Sequence, residues 1–245
     1  MKTSVFFIGI IFSAVISLQG IAQQTELSSQ EILEKTIKYH DPDNVWETYK
    51  GKLYEVTVLY PWNYVVKETI EIDNQNDFYL STCFQEFGTL KRGIDKGKNI
   101  FSLNDKPEIP DEIKDNWGIS NEGIKRYSAQ HHGHFGLPMV LKNSGMELQK
   151  NVKNVIFEGR KCYALRFIGK PELVKNPFFE GEVILNVDCN NYAMRGLNYS
   201  AGDISGYTIF SGEIEINGLK VVHAKIAYNK DDTHASTSVN FLVQE

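Results

Sequence analysis

Residues 207–228 read YTIFSGEIEINGLKVVHAKIAY, in which two runs rich in apolar and β-branched residues flank Asn217-Gly218. Both central positions of a two-residue hairpin turn need a positive φ, and Asn-Gly tolerates that conformation best. The stretch therefore predicts two antiparallel strands, Tyr207–Ile216 and Leu219–Tyr228, joined by a tight turn.

The same period of two recurs on both sides of this hairpin. Apolar residues alternate with polar ones in five runs between Gly51 and Leu103, and again between Asn154 and Tyr199. A last run covers Ala235–Val243. Short polar turns between alternating runs are typical of an antiparallel meander. This alternation of apolar and polar residues predicts roughly eleven strands in total.

Two segments follow a helical period instead. Ser28 and Glu31 form a capping box at the start of a helix that Asp41-Pro42 ends. Residues Asp111–Lys150 carry apolar residues at helical spacing. A large sheet coils and needs its apolar face covered. We predict an α+β, mainly β fold, in which both helical segments cover a curved antiparallel sheet in the form of a half-barrel.

The first residues predict export. Lys2 precedes an apolar run from Val5 to Leu18, and small residues flank Ile21 in Gly20-Ile21-Ala22. This order is typical of a signal peptide. We expect cleavage after Ala22, a single domain over 23–245, and a location in the periplasm or outside the cell. An uncleaved N-terminal anchor is the alternative.

Composition excludes several classes of protein. Lys and Arg number 26 against 31 Asp and Glu, so the net charge is −5. Without a basic cluster, the chain does not have the pattern of a nucleic-acid-binding protein. No stretch after the signal has 18 consecutive apolar residues, so we expect no transmembrane span. Nucleotide-binding loops and the Gly-x-Ser-x-Gly motif of hydrolases are also missing from the sequence.

One string of residues favours metal binding. His131-His132-Gly133-His134 places three imidazoles within four residues, and imidazole is a ligand of zinc and copper. A metal-binding hydrolase that uses this cluster is therefore an alternative function. A solvated helix end is the simpler explanation, because histidines favour the negative pole of a helix. On that explanation the protein needs no cofactor and is not an enzyme.

The cysteines leave two interpretations open. Cys83, Cys162 and Cys189 are an odd number, so at most one intramolecular disulfide forms. Buried thiols are favoured, since cysteine is commonly buried as a small apolar residue. A Cys162–Cys189 disulfide is the alternative in an oxidising compartment.

Several segments carry a resemblance to a known superfamily. They are Tyr39-His40-Asp41-Pro42 with Trp46, Phe135–Leu141, Gly181–Asp188 and Asn217–Val221. With the order of elements, they resemble the bacterial lipoprotein carriers of the LolA/LolB-like type, and more closely an uncharacterised branch of secreted proteins with that fold. The resemblance covers most of the mature chain as an order of elements.

The resemblance implies a function. In that superfamily the concave face binds acyl chains beneath a helical lid, which implies a cavity under Phe135–Leu141 here. We therefore expect a protein that binds a hydrophobic small molecule or an acylated protein. An envelope scaffold with a filled core is the other alternative. The candidate cavity residues are Val56, Val58, Val66, Phe78, Leu80, Leu137, Val140, Leu141, Leu185, Val222 and Ile226.

Overall fold

The computed structural model describes residues 27–170 and 180–243. The predicted signal peptide and its cleavage point lie outside the described residues. The first five strands are β1 (Lys50–Leu59), β2 (Tyr64–Asp73), β3 (Phe78–Gln85), β4 (Gly88–Asp95) and β5 (Lys98–Leu103). The later strands are β6 (Glu147–Leu148), β7 (Lys153–Phe157), β8 (Arg160–Gly169), β9 (Gly181–Asp188), β10 (Met194–Ala201), β11 (Ile204–Ile216), β12 (Leu219–Asn229) and β13 (His234–Leu242).

All thirteen strands belong to one open sheet. Its order is β5-β4-β3-β2-β1-β13-β12-β11-β10-β9-β8-β6, with β7 paired to β8. Each recorded pairing is antiparallel, including the central pairing of β1 with β13. The chain thus runs as one meander from the centre to an edge and as a second meander from the other edge back to the centre.

The described part of the chain has three α-helices, which precede or interrupt the strands. Helix α1 spans Ser29–His40, and Ser28 caps it through the predicted capping box with Glu31. Helices α2 (Asp111–Asn116) and α3 (Asn121–Phe135) join β5 at one sheet edge to β6 at the other. A 3₁₀ turn, Met139–Asn143, follows α3. The expected helical segment between the two meanders is therefore confirmed.

The core consists of two main apolar clusters on the helix-covered face. In the first, Ile32 and Leu33 of α1 pack on Leu165 and Leu185 of the second meander. In the second, Phe135 of α3 packs on residues of the central strands. A small third cluster lies at the β3–β4 end of the sheet. The helices thus cover the sheet by burying its apolar side chains.

The fold class is confirmed, with two more strands than the sequence predicted. Strand β6 has two residues and pairs with β8 only at Glu147 and Leu148. A strand this short has no measurable alternation, so its pattern in sequence carries no signal. The Asn217-Gly218 turn lies where predicted, with φ values of 49° and 86°.

Candidate ligand-binding cavity

A cavity of about 580 Å³ lies between the first meander and helix α3. Its wall consists of Glu55, Thr57, Leu59, Tyr64, Val66, Glu68, Arg92, Asn116, Trp117, Tyr127, Gln130, His131, His134, Ser236 and Ser238. Glu55, Glu68, Arg92 and His131 are the deeply buried members of that wall. The inner end of the cavity is therefore ionic, and we call these four residues the floor.

One carboxylate of the floor is held by a lysine from a strand that is not its neighbour. Lys225 Nζ donates to Glu55 Oε2 at 2.6 Å, and both side chains are buried. Thr57 donates to the other oxygen, Glu55 Oε1, at 3.2 Å. Burial of a charge is costly unless a partner of opposite charge accompanies it, which Lys225 supplies.

Glu68 is the second carboxylate of the floor, and three groups surround it. Ser81 Oγ donates to its Oε2 at 2.6 Å, and Arg92 Nη2 lies 3.7 Å from the same oxygen. His131 Nε2 lies 3.5 Å from Oε1. Burial by itself raises the pKa of Glu68, but His131, Arg92 and Ser81 together lower it to about 2. Glu68 is therefore ionised at neutral pH.

Arg92 is fixed by an aromatic ring and a carbonyl. Its guanidinium lies 3.4 Å from the ring centroid of Tyr127, a cation–π contact, and its Nη1 donates to the carbonyl of Trp117. The Nε atom is buried and has no hydrogen-bond partner. Burial of this side chain thus depends on the aromatic ring and on Glu68 together.

Helix α3 brings His131 into the cavity by its helical period. Ile124, Ser128, His131 and Phe135 are buried and share the face that packs on the sheet. The hydroxyl of Tyr79 lies 2.6 Å from His131 Nδ1 and fixes the ring. Burial raises the pKa of Tyr79, so its hydroxyl keeps its proton.

The three histidines do not converge as one cluster. His132 Nδ1 lies 2.9 Å from the Ser128 carbonyl, in the preceding helical turn. His134 lines the cavity with His131. Burial lowers the pKa of both His132 and His134. The explanation of a solvated helix end is also wrong for His131, because α3 packs on the sheet and buries that side chain.

The cavity mouth is aromatic and partly exposed. Tyr64, which is 43% exposed, and the half-buried Trp117 contact each other across it with ring centroids 6.4 Å apart. Leu59 and Val66 add aliphatic surface. Trp62, in the turn before Tyr64, is 79% exposed. The mouth therefore offers apolar contacts, in contrast to the floor.

The expected cavity residues divide between the two faces of the sheet. Val66 lines the cavity. Leu137, Leu141, Leu185 and Val222 are buried in the first apolar cluster, with Val140 against it. Val56 and Val58 alternate with the cavity residues Glu55, Thr57 and Leu59, so period two places them on the opposite face. The same alternation places Phe78 and Leu80 opposite the buried Tyr79, and Ile226 opposite Lys225.

Side chains of the segment Phe135–Leu141 are packed into the apolar core. Five of its seven residues are apolar side chains, and Leu137 and Leu141 are 2% and 3% exposed. The void nearest Phe135 measures about 10 Å³, which holds at most one water molecule. None of the residues of this segment belongs to the wall of the cavity of about 580 Å³.

The segment Tyr39–Asp41, quoted for the resemblance, has a structural role. His40 Nδ1 lies 2.7 Å from the Lys220 carbonyl, and Nε2 accepts from the Met194 backbone N–H at 3.1 Å. Asp41 accepts from the backbone N–H groups of Val45 and Trp46. The two His40 bonds attach the end of α1 to β10 and β12, and the Asp41 bonds hold the turn that follows α1.

All three cysteines are free thiols in the structure. Cys83 and Cys162 are completely buried, and Cys189 is half-buried. Burial raises the pKa of each thiol, which favours the protonated form. This arrangement agrees with the interpretation of the cysteines as apolar packing residues.

Sequence reasoning did not identify the floor residues Glu55, Glu68 and Arg92. Each occupies an ordinary polar position in a strand, and their convergence depends on the strand pairings β1–β2, β2–β3 and β3–β4. The weak signal available was Glu55 between the apolar residues Tyr54 and Val56, whereas Glu68 and Arg92 each follow a lysine and have no such contrast. That pattern equally describes a solvated sheet face.

Comparisons with known proteins agree with the fold. Residues 6–218 match the model of a family described as "Family of unknown function (DUF6503)". The structure is similar to a LolA superfamily protein from Nitrosomonas europaea, with 12% identity, a TM-score of 0.52 and coverage of 89% of this chain and 95% of that one. A comparison with curated proteins gave no significant match.

Two further solved structures cover a similar share of the chain. A putative outer membrane lipoprotein-sorting protein domain from Vibrio parahaemolyticus has 10% identity, a TM-score of 0.49 and coverage of 86% and 91%. A DUF1329 family protein from Desulfovibrio piger has 10% identity, a TM-score of 0.45 and coverage of 87% and 91%. In the described part of the chain, no helix is long and apolar enough to cross a membrane.

Proposed function

The chain belongs to the DUF6503 family, a family of unknown function, and its structure has a LolA-like fold. We propose that it is an exported binding protein for an amphiphilic ligand. The ligand is a lipid or the lipidated end of a protein. Its polar group reaches the ionic floor, and its apolar part lies along the mouth. The observation that carries this proposal is that a single cavity changes from an apolar, aromatic mouth to an ionic floor.

The size of the cavity supports a small-molecule ligand. Its volume of about 580 Å³ lies within the range of roughly 300–1,000 Å³ that is usual for ligand sites. Such sites combine apolar walls with a few placed polar groups. Leu59, Val66 and Trp117 supply the apolar wall, and the floor supplies the polar groups.

The exposed aromatic side chain beside the mouth also supports an apolar partner. Trp62 lies in the turn between β1 and β2, two residues before Tyr64 of the mouth. Tryptophan and tyrosine favour positions where one end of the side chain is apolar and the other is wet. A lipid surface or an acylated protein provides such an environment at the cavity entrance.

Export is the remaining part of the proposal. Lys2, the apolar run that starts at Val5, and Ala22 support a cleaved signal peptide. N-terminal sequencing of the protein recovered from the periplasm or medium should begin at Gln23. A chain that retains its first residues after fractionation contradicts this part.

The binding test uses a fluorescent long-chain fatty acid and the protein without its signal peptide. Native mass spectrometry of the freshly purified protein is expected to show a bound lipid, and the probe is expected to displace it. A clean apo mass together with no uptake of the probe rejects the binding function and favours the scaffold alternative.

Two adjacent valines offer a matched pair of variants. Val66→Trp narrows the cavity, whereas Val65→Trp adds the same ring on the opposite face of β2. We expect Val66→Trp to weaken uptake of the probe about tenfold, or roughly 1.4 kcal/mol, and Val65→Trp to leave it unchanged. Circular dichroism and melting curves verify that both variants are folded. Equal uptake by the two variants places the ligand elsewhere.

A further inference from the structure

Three donor groups of the floor, to which the proposed function assigns the polar group of the ligand, meet at one point, and the inference below rests on that function. One carboxylate oxygen from Glu55, one from Glu68 and a ring nitrogen of His131 lie within 4.8 Å of one another, and all three residues are buried. His131 Nε2 and Glu68 Oε1 are 3.5 Å apart. Two ligands of a tetrahedral zinc ion, each at about 2.0–2.2 Å, lie roughly 3.3 Å from each other.

The surroundings orient these donors rather than occupy them. Lys225 and Ser81 donate to Oε2 of Glu55 and of Glu68, respectively. Thr57 donates to Oε1 of Glu55, but each carboxylate oxygen has two lone pairs, so Oε1 of either glutamate keeps a lone pair that can coordinate a cation. Hydrogen bonds that hold ligating carboxylates in place are typical of metal sites.

The histidine has the same kind of support. His131 Nδ1 lies 2.6 Å from the Tyr79 hydroxyl, on the side of the ring away from Glu68. With the Nδ1 proton donated to Tyr79, the lone pair of Nε2 points toward the carboxylates. A ligating histidine almost always donates its other N–H to a polar partner in this way.

Charge limits the affinity of such a site. The charges of Glu55 and Glu68 are balanced by Lys225 and Arg92. A divalent cation therefore adds two uncompensated positive charges at the floor, next to the positively charged side chains of Lys225 and Arg92. An anionic group that enters from the cavity would offset them, so the site would favour ligands with a carboxylate or phosphate.

We propose that Glu55, Glu68 and His131 form a zinc site at the floor of the cavity, with a fourth position open to a water molecule or an anion. One imidazole and two carboxylates are a donor set that suits Zn²⁺ better than Mg²⁺, which prefers oxygen ligands alone. This set shares His131 with the sequence-based candidate of His131, His132 and His134.

The test is isothermal titration of the chelator-treated protein, without its signal peptide, with Zn²⁺ and with Mg²⁺. We expect one Zn²⁺ per chain with a Kd below about 100 μM, and no comparable Mg²⁺ binding. This affinity is weak for structural zinc because the positive charges of Lys225 and Arg92 lie beside the site. His131→Gln and Glu68→Gln should each weaken Zn²⁺ binding at least about tenfold. His132→Gln, which changes the neighbouring ring on the same helix, should leave it unchanged.

Each outcome of this test decides the proposal. Stoichiometric binding that is lost in the His131 and Glu68 variants and kept in the His132 variant supports it. Absence of binding to the unmodified chain overturns it, as does binding that survives His131→Gln or that depends on His132. If His131→Gln fails to fold, Glu55→Gln replaces it, and melting curves with and without Zn²⁺ give the second readout. Fatty-acid uptake is measured without metal, so its failure is separate from failure of the zinc site.

Discussion

Lys225 Nζ lies 2.6 Å from Glu55 Oε2, although their strands, β12 and β1, are separated by β13. The two side chains cross over β13, where Ser238 is paired with Lys225 and Asn240 with Glu55. Because these partners are small or polar, a long lysine reaches across them on the helix-covered face. This ion pair places charge at the centre of the sheet, where an apolar groove was expected.

Replacement of Lys225 by methionine should be strongly destabilising. The variant leaves the Glu55 carboxylate buried without its cation, and loss of one partner of a buried pair costs about 3–5 kcal/mol. Urea unfolding measures the change. Lys52→Met is the matched control, since the Lys52–Glu71 pair is largely exposed and its loss should cost less than about 1 kcal/mol. Equal effects of the two variants contradict the buried pair.

Acid should unfold the protein partly through Glu68. Its pKa is lowered from 4.5 to about 2 in the folded chain, so the folded state releases this proton more readily than the unfolded state. The stability that results is fully present above about pH 4.5 and is lost as the pH falls toward 2. Glu68→Gln should therefore flatten the loss of unfolding free energy between pH 5 and pH 2.

The control for the acid series is Glu71→Gln, at a half-exposed position of the same strand. We expect this variant to keep the pH profile of the unmodified chain. A Glu68→Gln profile as steep as that of the unmodified chain over the same interval refutes the assignment.

His40 should make stability sensitive to a milder pH change. Burial lowers the pKa of His40 from 6.5, and its Nε2 accepts a hydrogen bond only when the ring is neutral. The unfolded chain therefore takes up this proton more readily, and the contribution to stability declines as the pH falls below about 6.5. His40→Gln should lose about 1–3 kcal/mol at pH 7 and show a flatter profile between pH 7 and 5. An unchanged slope over that interval is the contrary result.

Leu185→Ala tests whether the apolar core is filled. Leu185 is completely buried against side chains of α1 and the neighbouring strands, so truncation should leave a void and cost about 2–5 kcal/mol. Ile156→Ala, at a position that is 68% exposed, should cost less than about 0.5 kcal/mol. Urea melts of both variants supply the comparison. A cost below about 1 kcal/mol for Leu185→Ala indicates an open groove at this point instead.

Thiol titration without reductant tests the cysteine assignment. Three reactive thiols should appear in denaturant, because all three cysteines are free. In the native protein Cys189 should react first, since Cys83 and Cys162 are completely buried. Detection of a single thiol in denaturant indicates that a disulfide forms in the protein.

The local elements of this fold follow from short-range physics. The capping box at Ser28, the Asn217-Gly218 turn and the alternation in β1 each depend on residues close together in the chain. For that reason the antiparallel meanders, the first helix and the helical segment between the meanders could be predicted from the order of residues. The strand β6 escaped prediction because two residues carry no period.

The face of each strand that the helices cover depends on the folded arrangement of the whole chain. Period two separates Val56 from Glu55 but does not say which of them faces inward, and a shift of one residue reverses every side chain. Here α3 brings His131 onto the face of Glu55 and Glu68, and Lys225 and Arg92 accompany them from other strands. These five residues are far apart in the chain, so their ion pairs and hydrogen bonds form only once the strands have paired in the observed register.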